Sequence, residues 1–237
     1  MKKHLILFFY ILSVFCLGVN AQEQGDVYLD DSQSVEARVE SALNQMTVEE
    51  KVAMCHAQSK FSSLGVPRLG IPDVWCTDGP HGVREEVFWD KWEGAGWTND
   101  SCTAFPALLC LASTFNPELA LLYGKSIGEE ARYRNKTVLL GPGVNIYRTP
   151  LNGRNFEYMG EDPYLAARLA VPYIQGVQQN GVAACVKHFA VNNQEVWRGH
   201  INVVLSDRAL HEIYLPAFKA AVEEGKTWSI MGAYNQL

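Results

Sequence analysis

The stretch AACVKHFAVNNQE, Ala183 to Glu195, decides the fold. Ala183, Ala184, Cys185 and Val186 form an unbroken apolar run, which suits a strand in the middle of a parallel sheet. Lys187 and His188 then arrive together. Phe189, Ala190 and Val191 lead on into the amides Asn192, Asn193 and Gln194. A strand that stays apolar until it reaches a cation and an imidazole ends at a polar pocket.

Outward from this strand, helices and strands alternate. Asp73–Cys76, Val138–Leu140, Ala183–Val186 and Trp228–Ala233 read as strands. Asn116 with Pro117 opens a helix whose apolar face is Leu119, Leu122, Tyr123, Ile127 and Ala131. Asp162 with Pro163 opens a second, stopped by Asn180-Gly181. Ser206 caps a third, which Pro216 should kink or split because it removes an internal hydrogen bond. Nearer the N-terminus, Val35, Val39, Ala42, Leu43 and Met46 recur at helical spacing. Thr47 to Glu50 is a capping box opening a short helix through Met54.

Strand alternating with helix predicts an α/β fold with a parallel sheet and outer helices. About four strands fit the first half of a (β/α)₈ barrel of the TIM type, which needs eight. An open doubly wound sheet is the alternative, but no Gly-x-Gly-x-x-Gly loop follows the first strand. The domain reading is a signal peptide over 1–21, a polar segment over 22–33, and an incomplete barrel domain over 34–237. Lys2 and Lys3, the apolar run Leu5 to Val19 and the Ala21-Gln22 junction carry the signal-peptide reading. It implies export to the periplasm or the extracellular space. Bulky Phe15 before Cys16 argues against lipid anchoring.

The 237 residues are 48% apolar and 19% charged, as in a globular protein with a real core. The net charge of -6 argues against nucleic acid or an anionic membrane as partner. No membrane insertion is expected after the signal is removed. Six cysteines without a C-x-x-C spacing favour buried free thiols over a zinc site or disulfide scaffold. No His-x-His or His-Glu-x-x-His spacing exists, and no metal or other cofactor is implied.

The unusual polar residues fall at carboxyl ends of strands, where parallel barrels build their sites. Asp78 follows the first strand, and Arg148 and Arg154 follow the second. Lys187 and His188 end the third, and Tyr234 ends the fourth. Alone, Asp78-Gly-Pro could be a turn, Arg154 a surface ion pair and His188 a core histidine. Their convergence on one face points to a site. Trp75, Trp89, Trp92 and Trp97 read equally well as a loop minicore or as stacking surfaces for sugar rings.

The segments DGPHGVR (Asp78–Arg84), GPGVNIYRTPLNGRNFEYMGEDPYLA (Gly141–Ala166), CVKHFAVNNQE and SIMGAYNQL resemble, in order and spacing, the N-terminal barrel of glycoside hydrolase family 3. The resemblance runs from about Met46 to Leu237. It implies that Asp78 binds sugar hydroxyls far from the anomeric carbon, and that Arg154, Lys187 and His188 hold others on the same ring. It also implies that Tyr234 supports the nucleophile. The family hydrolyses with retention, using two carboxyls about 5–5.5 Å apart. Its nucleophile lies in a Ser-Asp segment beyond the Tyr234 strand, and its acid/base lies later still. Ser206-Asp207 lies before that strand and reads as a helix cap. The chain is therefore expected to be C-terminally truncated and inactive alone, with Glu157, Glu161 and Glu195 as partners of the cations. Phe189-Ala190-Val191 disfavours the N-acetylglucosaminidase branch, whose motif continues Phe-Pro-Gly-His. Asp78 favours β-glucosidase over β-xylosidase. The expected partner is an oligosaccharide or β-glucoside, with an inactive carbohydrate-binding product as the other class of reading.

Overall fold

The computed structural model describes residues 27–97 and 101–237; the signal-peptide reading of 1–21 lies outside them. Two compact units emerge. In the first, helix α1 (Val35–Gln45) starts where the Ser34 hydroxyl accepts from Ala37 N–H. Helix α2 (Val48–Met54) starts at the Thr47–Glu50 capping box, present in both directions. Arg68 closes on Glu50 at 2.8 Å. The apolar stripe is there, but Val35, Val39 and Leu43 are all exposed.

The second unit holds the sheet. Strands β1 (Ser62–Ser63), β2 (Val74–Asp78), β3 (Val138–Leu140), β4 (Ala183–Phe189) and β5 (Ser229–Gly232) pair in sequence order. β1 is antiparallel to β2, and β2 through β5 are parallel. This is a partial barrel of the TIM type with its helices on one side. Two strands run further than their apolar residues suggest. β2 continues through Asp78 and β4 through Phe189, so polar residues of the site sit on the sheet itself.

Register separates the two faces. Thr77, Leu139 and Ala184 align across β2, β3 and β4, and all three are buried. The helices cover this side: Leu139, Ala184 and Val186 join the core of Ile127, Ala170, Ile174, Val177 and Ala217. On the other face Cys76, Val138 and Ala183 align and stay half-buried.

Helix α3 (Leu108–Ala112) leads to α4 (Pro117–Tyr133), capped by Asn116, and α5 (Pro163–Gln178) is capped by Asp162. The buried face of α4 is Ala120, Tyr123, Gly124, Ile127, Gly128 and Ala131, while Leu119 and Leu122 are exposed. The sequence stripe is thus rotated. The large residues suggested one face, but α4 and α5 approach through small ones. A Cβ at Gly124 would strike the Tyr173 carbonyl, and one at Gly176 the Leu121 carbonyl. Pro216 splits the last helix as expected: α6 (Asp207–Ala209) passes through a π-turn at Leu210–Tyr214 before α7 (Pro216–Glu223) begins at the proline. Among the described thiols only Cys185 is buried; Cys55 and Cys110 are exposed, against the expectation of buried cysteines.

Candidate active site

β2 delivers Asp78 to a turn that only glycine can make at the next position. Gly79 sits at φ 121°, and a Cβ there would strike the Gly82 carbonyl. Arg84 N–H donates back to the Asp78 carbonyl at 3.2 Å and closes the turn. The Asp78 carboxylate accepts from Gly79 N–H at 3.0 Å and from Lys187 Nζ at 2.9 Å.

Lys187 is 1% exposed. A buried ammonium needs compensation, and a second carboxylate supplies it: Glu157 Oε2 lies 3.5 Å from Nζ. Glu157, itself buried, comes from a 3₁₀ turn at Asn155–Glu157. Its other oxygen takes the Nε–H of Arg154. Arg154 then reaches Glu195 Oε1 at 3.5 Å through Nη1 and His188 Nε2 at 3.1 Å through Nη2. The chain turns at this point. Pairing of β4 with β5 shifts between Lys187 and Phe189, and the Lys187–His188 and Phe189–Ala190 peptides are cis. His188 is bracketed by Asn145, whose side chain accepts from His188 N–H at 2.8 Å and donates to its carbonyl at 3.0 Å.

The electrostatics follow from these contacts. Burial works to raise the Asp78 carboxyl, but the Lys187 ammonium outweighs it and holds the group below the usual range. Burial opposes the Arg154 charge as well, yet the Glu157 carboxylate fixes it in the cationic form. His188 is driven the other way. Desolvation, with Arg154, Lys187 and Arg198 nearby, pushes it down to about 2, so the ring is neutral. Burial lowers His81 too.

Asp78, Arg154, Lys187 and His188 meet in one network, as the sequence suggested, but Lys187 and His188, each 1% exposed, stand behind the cleft wall instead of lining it as sugar-contacting residues would. Asp78, His81, Arg84, Arg154, Phe156 and Glu157 line an open cleft of about 470 Å³. Two expected residues stand apart. Arg148 is exposed and forms no ion pair among the described residues, because the loop after β3 turns its polar edge inward at Arg154 instead. Tyr234 is exposed beyond β5 and, among the described residues, touches the network only through Arg198, whose guanidinium lies 4.5 Å from its ring centre and 3.6 Å from Glu195. Glu157 and Glu195 pair with cations, whereas Glu161 is exposed and unpaired among the described residues.

The tryptophans form no common cluster. Trp75 packs under Lys136, Trp92 meets Phe61 edge-on at 5.9 Å, and Trp97 meets Phe88 at 6.3 Å. Trp89, Trp92 and Trp97 are each more than half exposed, which removes the minicore reading for them. Sequence reasoning missed Tyr158, Asn192, Asn145, Arg84 and Arg198. Asn192 was visible as part of the amide run, and Arg84 as the end of the Asp78 turn. Nothing in the sequence alone marked Tyr158 as a partner of His188.

Chemically, the cleft wall presents Arg84 and Arg154 beside Asp78, Glu85 and Glu157, with Lys187 buried behind them, a surface that can donate to and accept from several hydroxyls at once. Every carboxylate of the network has a cationic partner. Asp78, held ionised, is unsuited to donate a proton as a general acid, which requires a raised pKa.

The fold and site together define a partial TIM-type barrel with a polar array of cations and carboxylates at its carboxyl edge. Residues 42–237 match the family model for the glycosyl hydrolase family 3 N terminal domain, and the chain belongs to that family. It is 75% identical over 216 residues to beta-glucosidase BoGH3A of Bacteroides ovatus, which covers 91% of this chain and 29% of the relative. It is 44% identical over 200 residues to thermostable beta-glucosidase B of Acetivibrio thermocellus, covering 84% and 26%. Beta-glucosidase 3B of Thermotoga neapolitana, solved in complex with glucose, superposes with a TM-score of 0.76 at 42% identity, over 84% of this chain and 29% of that one. The chain thus spans less than a third of the length of these relatives.

Proposed function

We propose that the whole protein carrying this chain is an exported, retaining β-glucosidase that removes terminal β-D-glucosyl residues, and that this chain supplies the wall that grips the sugar. The observation that carries the reading is the network of Asp78, Lys187, Glu157 and Arg154 at the carboxyl edge of the sheet. Sugar hydroxyls can exchange into it without leaving a charge bare. Hydroxyl contacts that tighten as the ring flattens toward an oxocarbenium-like state lower the barrier rather than merely the KM. The nucleophile and the acid/base come from residues outside this chain, with Tyr234 beside the nucleophile. The relatives' printed activities and the solved glucose complex support the substrate class.

The test is direct. The whole protein should turn over 4-nitrophenyl β-D-glucoside and release β-glucose first, seen by proton NMR before mutarotation. The 22–237 chain assayed alongside should release nothing measurable. Turnover by that chain in the ordinary enzyme range of about 1–10³ s⁻¹ would place a carboxylate pair within it and overturn the division of labour. α-Glucose as first product would overturn retention.

A further inference from the structure

Beneath the cleft, His188 is the middle of a chain of hydrogen bonds whose direction can be fixed from chemistry. Arg154 Nη2 stands 3.1 Å from His188 Nε2. A guanidinium has only donors and keeps its proton in proteins. Nε2 must therefore be a lone pair, and the neutral ring carries its proton on Nδ1. Nδ1 stands 3.0 Å from the hydroxyl of Tyr158, so Nδ1–H donates and the phenol oxygen accepts. That oxygen also accepts from Asn192 Nδ2 at 2.8 Å. The opposite tautomer would set Nε2–H against an Arg154 N–H.

All the inner members are sealed. Tyr158 is 0% exposed, His188 1% and Asn192 3%. The Tyr158 and His188 rings also meet edge-on, 6.0 Å between centres. Only Arg154, the outer member, lines the cleft. Its other two nitrogens are already taken by Glu157 and Glu195. The lone pair on His188 is the third point that fixes the guanidinium plane.

We propose that Tyr158, backed by Asn192, is a positioning residue: it holds His188 in the Nδ1–H tautomer, and that tautomer aims Arg154 into the sugar cleft. The inference rests on the glycosidase reading for its kinetic consequence but not for its structural one. Tyr158→Phe removes the acceptor for Nδ1–H and leaves a buried donor bare. The ring can then relax to the other tautomer and repel Arg154. In a buried site one lost polar partner corresponds to roughly 10–100-fold in kcat/KM.

Two measurements on the whole protein test this. Nitrogen-15 histidine labelling should give His188 the signature of a neutral ring protonated at Nδ1, with His188→Asn assigning the signal; an Nε2-protonated ring would overturn the proposal whatever the activity. Kinetics on 4-nitrophenyl β-D-glucoside should show Tyr158→Phe losing roughly 10–100-fold, but less than about 3-fold once Arg154→Gln is already present, because contacts in one network are not additive. Equal losses in both backgrounds would make Tyr158 a packing residue and overturn the proposal. A wild-type protein that releases no nitrophenol would instead remove the glycosidase reading, leaving the tautomer assignment to stand or fall on the spectrum.

Discussion

At neutral pH the His188 imidazole contributes shape and one lone pair, with no charge. The cost of keeping it neutral appears on acidification. Its ordinary value is near 6.5 in an unfolded chain, whereas burial, aided by Arg154, Lys187 and Arg198, pushes it down to about 2 in the fold. Between those limits the unfolded chain binds a proton that the folded one refuses. Stability is therefore lost as pH falls below about 6.5, by about 1.4 kcal/mol per pH unit for this group alone. Asp78 acts lower down, since its pairing with Lys187 persists through the usual carboxylate range and is lost only as pH falls through its depressed value. Urea unfolding of the whole protein at pH 7, 6 and 5 should thus show a steeper decline than His188→Asn does. Parallel pH profiles for the two proteins would mean that His188 takes up its proton in the fold.

Helix packing is set by what is missing from side chains. Gly124 on α4 and Gly176 on α5 let the two backbones touch, and a methyl group at either would meet a carbonyl of the other helix. Carbonyls in a helix cannot step aside as a side-chain tip can, so the helices must separate. Gly176→Ala should destabilise the domain by about 1–3 kcal/mol, the usual range for overpacking, despite alanine's better helix propensity. Differential scanning calorimetry of the whole protein is the check; a raised or unchanged Tm would mean the helices can part freely. The same contact explains why the sequence stripe of α4 held at Tyr123, Ile127 and Ala131 but not at its two leucines. Leu119 and Leu122 looked like core and are exposed, while the glycines carry the interface. Caps, by contrast, are local, and Asn116, Asp162 and Ser206 each accept from the first turn they precede, as their positions implied.

Over the whole barrel unit, one face of the sheet is covered by helices and the other is half-open, with Cys76, Val138, Leu140, Ala183 and Met231 partly exposed. Trp228 and Ile230 at β5 are 59% and 45% exposed, and Val204 is 78% exposed. Bare strand edges and contiguous apolar surface promote association. The 22–237 chain expressed alone should elute at a size that grows with concentration; a sharp monomer peak across a hundredfold dilution, with a cooperative melt, would contradict this. The sequence by itself determined the alternation of strand and helix, the half-barrel class, the caps, the break at Pro216 and the polar strand ends at Asp78, Lys187 and His188. All of these follow from short-range periodicity and residue chemistry. It also identified the family, because the long blocks from Gly141 to Ala166 and around the Lys-His pair are specific. Only the tertiary structure decided which face of α4 is buried, that Arg148 turns away while Arg154 turns in, and that Tyr158 and Glu157 stand behind His188 and Lys187. Those contacts join residues about 30 positions apart in the chain, as in Tyr158 and His188. No local pattern encodes them, since their partners are chosen by how the strand ends and loops converge in space.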